Sequence, residues 1–115
     1  IPKVNFKYII ATGGISVTIG MIHLKSDNYI PEIIHGQRIS RNKLKQIVKK
    51  ILETPYEKIK NIRGIPSDRI DLIIPGAIIL ESLLEHFNSD YIVISDYGFI
   101  EGIMKNYKNF VIMND

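Results

Sequence analysis

Apolar and polar positions fall in blocks along the chain, and the period changes from block to block. From Val4 to Ala11, the residues Val4, Phe6, Tyr8, Ile9 and Ile10 form an apolar run that predicts a buried strand, ended by Gly13-Gly14. From Ile15 to Leu24, Ile15, Val17, Ile19, Met21 and Ile22 predict a rather apolar helix, with Gly20 allowing close packing. The polar run "KSDNYIPE" at 25–32 reads as a loop within one domain. Ile33 to Arg38 is a short strand candidate. Ser40 then caps a helix whose Leu44, Ile47, Val48, Ile51 and Leu52 follow the i, i+3, i+4, i+7, i+8 pattern. Thr54-Pro55 ends that helix, and "YEKIKNI" adds a short helical stretch before Gly64 and Pro66.

Ser67 is positioned to cap the next helix, predicted from Asp68 to Phe87, with Asp68 in its positively polarised first turn. Pro75-Gly76 should kink or break it, because proline lacks an N–H and crowds the preceding turn. Apolar residues cover nearly all its sides, which predicts deep burial. Tyr91 to Ser95 reads as a second strong strand, and Gly98 to Lys108 as a final helix with Ile100, Ile103, Met104 and Tyr107 on one side. The order strand, helix, strand, helices, strand, helix indicates an α/β architecture. Internal repeats, coiled-coil heptads and low-complexity tracts are absent from the sequence.

Length and composition narrow the function classes. At 115 residues the chain is one domain or part of one, too short for a two-lobed enzyme with a cleft of ordinary size. Its start, "IPKVNFKYII", has no initiator methionine and no signal-peptide pattern, and it enters a strand almost at once; a mid-chain piece of a longer protein is expected. Without cysteine, disulfides and thiolate metal sites are excluded, and a cytoplasmic setting is compatible. His23, His35 and His86 share no metal-ligand spacing. The apolar run from Ile70 to Leu84 is interrupted by Asp71, Pro75, Gly76, Glu81 and Ser82, short of the roughly 20 residues of a spanning helix, so no membrane partner is expected. The net charge of +3 is mild. Lys43, Lys45, Lys49 and Lys50 surround an apolar stripe and read as a solvated helix face. No aromatic residues are interleaved with them for base stacking, so no nucleic-acid partner is expected, although a polyanion could use them.

In an open α/β sheet, ligands collect beyond the carboxyl ends of the strands, which singles out the loops Thr12 to Gly14 and Asp96 to Gly98. Glycines there let backbone N–H groups converge on an anion at a helix N-terminus, and Thr12 and Ser16 can add hydroxyl donors. A plain strand-to-helix turn has the same composition, so both readings stand at this level. Arg38, Arg41, Arg63 and Arg69 are the remaining candidate anion partners. Asp71, Glu81, Glu85, Asp96 and Glu101 form no convincing general base, and no Ser/His/Asp or Cys/His constellation is present.

Four segments taken in order resemble one family, the exopolyphosphatase and guanosine pentaphosphate phosphohydrolase (Ppx/GppA) phosphatases. They are "ATGGIS" at Ala11 to Ser16, "IHGQRISRNKL" at Ile34 to Leu44, "GIPSDRIDLIIPGAIIL" at Gly64 to Leu80 and "ISDYGFIEGIM" at Ile94 to Met104. The resemblance implies the actin-like (ribonuclease H-like, sugar kinase, Hsp70) fold with two lobes around a cleft, residues 1–115 being a single domain that is most of the second lobe. Thr12, Gly13 and Gly14, with the Ser16 hydroxyl, would then hold phosphate, and Arg69 would be an anion contact at the cleft. The implied reaction removes a terminal phosphate from polyphosphate or guanosine pentaphosphate by in-line attack of water, assisted by Mg2+. The family's catalytic glutamate and first phosphate loop belong to a missing N-terminal lobe, so no residue here is assigned as catalytic base or metal ligand. Two departures stand out: the family usually has threonine at Ile15 and arginine at Ile100, within "GFIEG". They motivate the alternative of a non-catalytic polyphosphate- or alarmone-binding regulatory module. The isolated chain is expected to fold without appreciable hydrolysis, and apolar faces left by the missing lobe make a homodimer possible.

Overall fold

A computed structural model describes residues 4–96. Strand β1 (Tyr8–Thr12) runs into helix α1 (Gly14–Leu24), followed by a one-turn helix α2 (Pro31–Ile34), strand β2 (Arg38–Ser40) and helix α3 (Arg41–Glu53). Two 3₁₀ turns, Tyr56–Asn61 and Ser67–Arg69, lead to the long helix α4 (Ile70–His86) and strand β3 (Tyr91–Ser95). The sheet order is β1-β3-β2, with β1 and β3 parallel and β2 antiparallel to β3. The helix predicted from Gly98 to Lys108, with Ile100 and Glu101, lies outside the described residues.

Register and burial give the sheet two unlike faces. Ile39, Ile92 and Ile94 are buried with Ile19, Leu44, Ile51, Ile73 and Leu84 in one core under the helices, and Ala11 of β1 is buried as well. Tyr8 and Ile10 point the other way and are exposed, Ile10 at 63%, so the apolar run read as a buried strand from Val4 to Ala11 is a strand only over Tyr8–Thr12, with one face left open by the described residues. On that open face a ladder crosses all three strands. The Arg38 guanidinium lies 5.0 Å from the centre of the Tyr91 ring, which stacks on Tyr8 at 5.4 Å.

Two further predicted features require correction. Ile33 to Arg38 is not a strand: Pro31 opens α2 at its first position, His35 donates back to the Pro31 carbonyl, and Gly36 turns at φ 86. The strand begins only at Arg38, where Ile39 faces the core. Secondly, α4 is only half-buried. Ile73, Ala77 and Leu84 face the core, whereas Leu72, Ile78 and Ile79 are exposed. It also runs without interruption through Pro75. The carbonyl deprived of a donor belongs to exposed Asp71, where solvent can replace the missing N–H.

The caps differ as well. Ser40 accepts from the Lys43 amide at 3.1 Å and starts α3 as its side-chain chemistry predicts. Ser67 does not cap; Pro66 precedes the 3₁₀ turn, and no side chain closes the N-terminus of α4. At the other end of α4, Arg41 Nη2 donates to the carbonyls of Leu84 at 3.1 Å and Glu85 at 3.4 Å. No helix among the described residues is long and apolar enough to cross a membrane.

His23, near the end of α1, has its pKa lowered below 6.5, first by burial and then by the charge of Lys43. The unfolded chain therefore binds this proton more readily than the folded one. Stability is complete above pH 6.5 and declines as pH falls through the lowered folded value. Melting temperatures followed from about pH 7.5 to about pH 5 should fall for the native chain and fall less for His23→Gln. Identical slopes would show that His23 titrates as it does in the unfolded chain.

Candidate functional site

The site forms where β1 hands over to α1. Gly13 sits at the helix N-cap with φ 99 and ψ 172, a conformation that L side chains rarely adopt. Among the described residues no side chain caps this helix, whose first-turn amides have no intrahelical acceptor. Across from them, the chain leaving Pro66 turns once through 3₁₀ geometry and delivers Arg69. Its guanidinium occupies the space that a Cβ on Gly14 would need. The Arg69 amide donates to the Pro66 carbonyl at 3.0 Å, whereas its guanidinium has no hydrogen bond or ion pair to the described residues. The other three guanidinium groups are engaged: Arg38 lies over the Tyr91 ring, Arg41 donates to carbonyls at the end of α4, and Arg63 Nε donates to Asp27 at 3.1 Å. The guanidinium left unengaged among the described residues is thus set against a helix N-terminus that no described side chain caps, an arrangement suited to an oxyanion.

These groups line a cavity of about 660 Å³, in which Thr12, Gly13, Gly14 and Arg69 come together with Asp27, Tyr29, Gly64 and Asp96. The sequence names the first four as anion contacts and Asp96 as the start of the second loop at this edge of the sheet. Ser16 is not among the lining residues; it is 3% exposed, and its Oγ donates to the Thr12 carbonyl at 3.2 Å. That bond ties the first turn of α1 to the end of β1, so Ser16 shapes the loop instead of reaching into the cavity. Ile15 also turns away, its side chain filling the place where a Cβ on Gly76 of α4 would stand.

Among the described residues, Asp27 and Asp96 are the carboxylates at the cavity. Asp27 bridges Arg63 and the Gly64 amide, the latter at 3.3 Å, and thereby fixes the loop that leads to Arg69. Asp96 accepts from the Tyr29 hydroxyl, and its own amide donates to His35 Nδ1 at 3.1 Å. Asp27 and Tyr29 lie in the polar loop 25–32, and nothing in their spacing marks them; the packing of that loop over the end of α1 brings them in. Asp71, a candidate base in the sequence, accepts instead from the Tyr56 hydroxyl, which raises the Tyr56 pKa. Magnesium does not fit the described residues: no group of three His, Asp or Glu side chains among them is placed to hold a metal ion, and both cavity carboxylates already have partners.

The backbone places the chain in the actin-like class of α/β folds. A Ppx/GppA family member from Aquifex aeolicus superposes with a TM-score of 0.84 at 25% identity, over 98% of this chain and 37% of that one. Residues 3–108 match the Ppx/GppA phosphatase family, and the chain belongs to it. A bifunctional 3-dehydroquinate synthase/phosphatase from Fusobacterium nucleatum is 28% identical over 94 residues, 82% of this chain and 14% of that protein. An exopolyphosphatase from Cytophaga hutchinsonii shares the fold, with a TM-score of 0.75 at 16% identity over 88% of this chain and 33% of its own. The chain spans well under half the length of each of these relatives.

Proposed function

We propose that this chain is most of the second lobe of a cytoplasmic phosphatase that releases the terminal phosphate of inorganic polyphosphate or guanosine pentaphosphate, and that it contributes one half of the anion site. One observation carries the reading: the Arg69 guanidinium, unpaired among the described residues, rests against Gly14 at the uncapped start of α1. In an in-line displacement by water, negative charge is spread over the oxygens of the transferred phosphoryl group. The amides of the Thr12 to Gly14 loop and the fork of Arg69 would meet that charge with donors already in position, needing little reorganisation as the reaction proceeds. Ser16 would act indirectly, holding the loop through the Thr12 carbonyl. The water-activating base would come from the other lobe.

The test uses the full-length protein with polyphosphate and guanosine pentaphosphate supplied separately. Phosphate release from either, abolished or strongly reduced in Arg69→Ala, supports the proposal. Release from neither, or release indifferent to Arg69, overturns it. Ile15 favours a second reading, a module that binds these anions without hydrolysing them, because its side chain packs toward Gly76 where the family usually carries a hydroxyl. Turnover by the native protein would dismiss that reading, whereas activity gained only in Ile15→Thr would establish it.

A further inference from the structure

A second cavity, of about 440 Å³, lies between the end of α1, one face of α3 and the 3₁₀ turn Tyr56–Asn61. It shares no lining residue with the first. Lys25, Lys43, Lys50, Lys58 and Arg63 line it, with His23, and no carboxylate does. Lys43 and Lys50 are seven residues apart on α3 and so share a helix face. The lysines of the neighbouring faces are paired: Lys45 with Glu85 and Lys49 with Glu53, each at 3.9 Å. The four lysines at the cavity have no carboxylate partner among the described residues. Segregation of this kind gathers like charges around one concavity, where they repel one another until a counter-anion enters.

The floor and the histidine narrow the ligand. Ile22, Ile47 and Ile62 form an apolar base, and the side chains of Gln46 and Asn61 add neutral donors. His23 Nδ1 is buried without a hydrogen-bond partner among the described residues. A buried polar atom in that state is costly unless something else satisfies it. The lowered pKa of His23 leaves the ring neutral at neutral pH, ready to gain a proton once an anion offsets the charge of Lys43.

We propose that this cavity is a second anion site, taking a ligand with several consecutive phosphates and holding it apart from the Arg69 cavity. It does not depend on the hydrolytic reading, because the two cavities share no lining residue and the four lysines, not Arg63 with its Asp27 partner, supply the charge. A run of phosphates is the chemistry that matches several cations spread around a cavity of about 440 Å³, since it carries several linked negative charges that can each meet a different side chain.

Calorimetric titration of the full-length protein with tripolyphosphate at low salt tests this. The native protein should bind at two sites. Lys50→Glu with Lys58→Glu, both exposed positions outside the Arg69 cavity, should weaken one site by roughly 10-fold or more, leaving the other site and the melting temperature unchanged. Arg69→Ala should remove the other site alone. Tripolyphosphate should also raise the pKa of His23, followed by its imidazole resonances. Comparison with ADP identifies the source: preference for tripolyphosphate assigns the site to inorganic chains, preference for ADP to nucleotides, and either keeps the phosphate assignment. An isotherm unaltered by the double substitution, an unmoved His23, or sulfate binding as tightly as tripolyphosphate would each overturn it. If the Arg69 cavity proves not to bind phosphate, only the effect of Arg69→Ala disappears.

Discussion

Replacing Arg69 with alanine should weaken phosphate-ligand binding by about 2–4 kcal/mol, roughly 30- to 1000-fold, with little change in melting temperature. Stability is expected to hold because the side chain makes no hydrogen bond or ion pair to the described residues, so its removal breaks none of them. Arg69→Lys should recover only part of the loss, since an ammonium supplies charge without the planar fork. Gly14→Ala gives an independent check, because its Cβ would take the space the guanidinium occupies and push it off the helix N-terminus. It leaves the arginine in the protein yet should approach the Arg69→Ala phenotype. If Gly14→Ala binds tripolyphosphate as tightly as the native protein, the guanidinium does not act from this position.

Gly64→Ala should be the most destabilising glycine-to-alanine change among the described residues. Its φ of 100 is strained for any L side chain, and an added Cβ would stand 2.7 Å from the backbone nitrogen of Ile22 and the carbonyl carbon of Met21. Backbone cannot yield as a flexible side-chain tip can, so α1 and the 63–66 loop would have to separate. The strain alone is worth about 1–3 kcal/mol, and the overlap adds to it. A drop in melting temperature of at least roughly 10 °C follows for a domain of this size. The same substitution should loosen the Asp27 contact to the Gly64 amide and thereby the approach to Arg69, coupling stability to ligand affinity. A melting temperature within a degree or two of the native value would mean that the loop has an alternative path.

Local patterns were legible where a single periodicity governed the segment. The spacing of Leu44, Ile47, Val48 and Ile51 defined α3, and Ser40 marked its start. The β-branched run at Tyr91–Ser95 defined β3, and the glycine pair marked the junction of β1 and α1. Misreadings arose where a neighbour decided the outcome. The isoleucines at 33 and 34 suit a strand, but Pro31 and Gly36 enclose a single helical turn instead. Helix α4 is apolar all round, which ordinarily means burial; here the described residues cover only one side. The meeting of Arg69 with Gly14 spans 55 positions of sequence and follows from how α4 packs on α1, which no short-range pattern encodes. Ser16 illustrates the opposite limit: its position in the motif was legible, but whether its hydroxyl faced a ligand or a carbonyl was not.

The contact between α1 and α4 recurs as a matched pair, the guanidinium seated on Gly14 and the Ile15 side chain seated on Gly76. Two such notches, cut into opposite helices, behave as a mechanical detent. Sliding α4 along its axis by one residue would carry the cation about 1.5 Å and drive Ile15 out of its recess, so small displacements are resisted from both sides. With Arg41 pinning the far end of the same helix, the grip on an incoming anion is set by a rigid rod and should tolerate considerable motion in the loop that Tyr29 occupies.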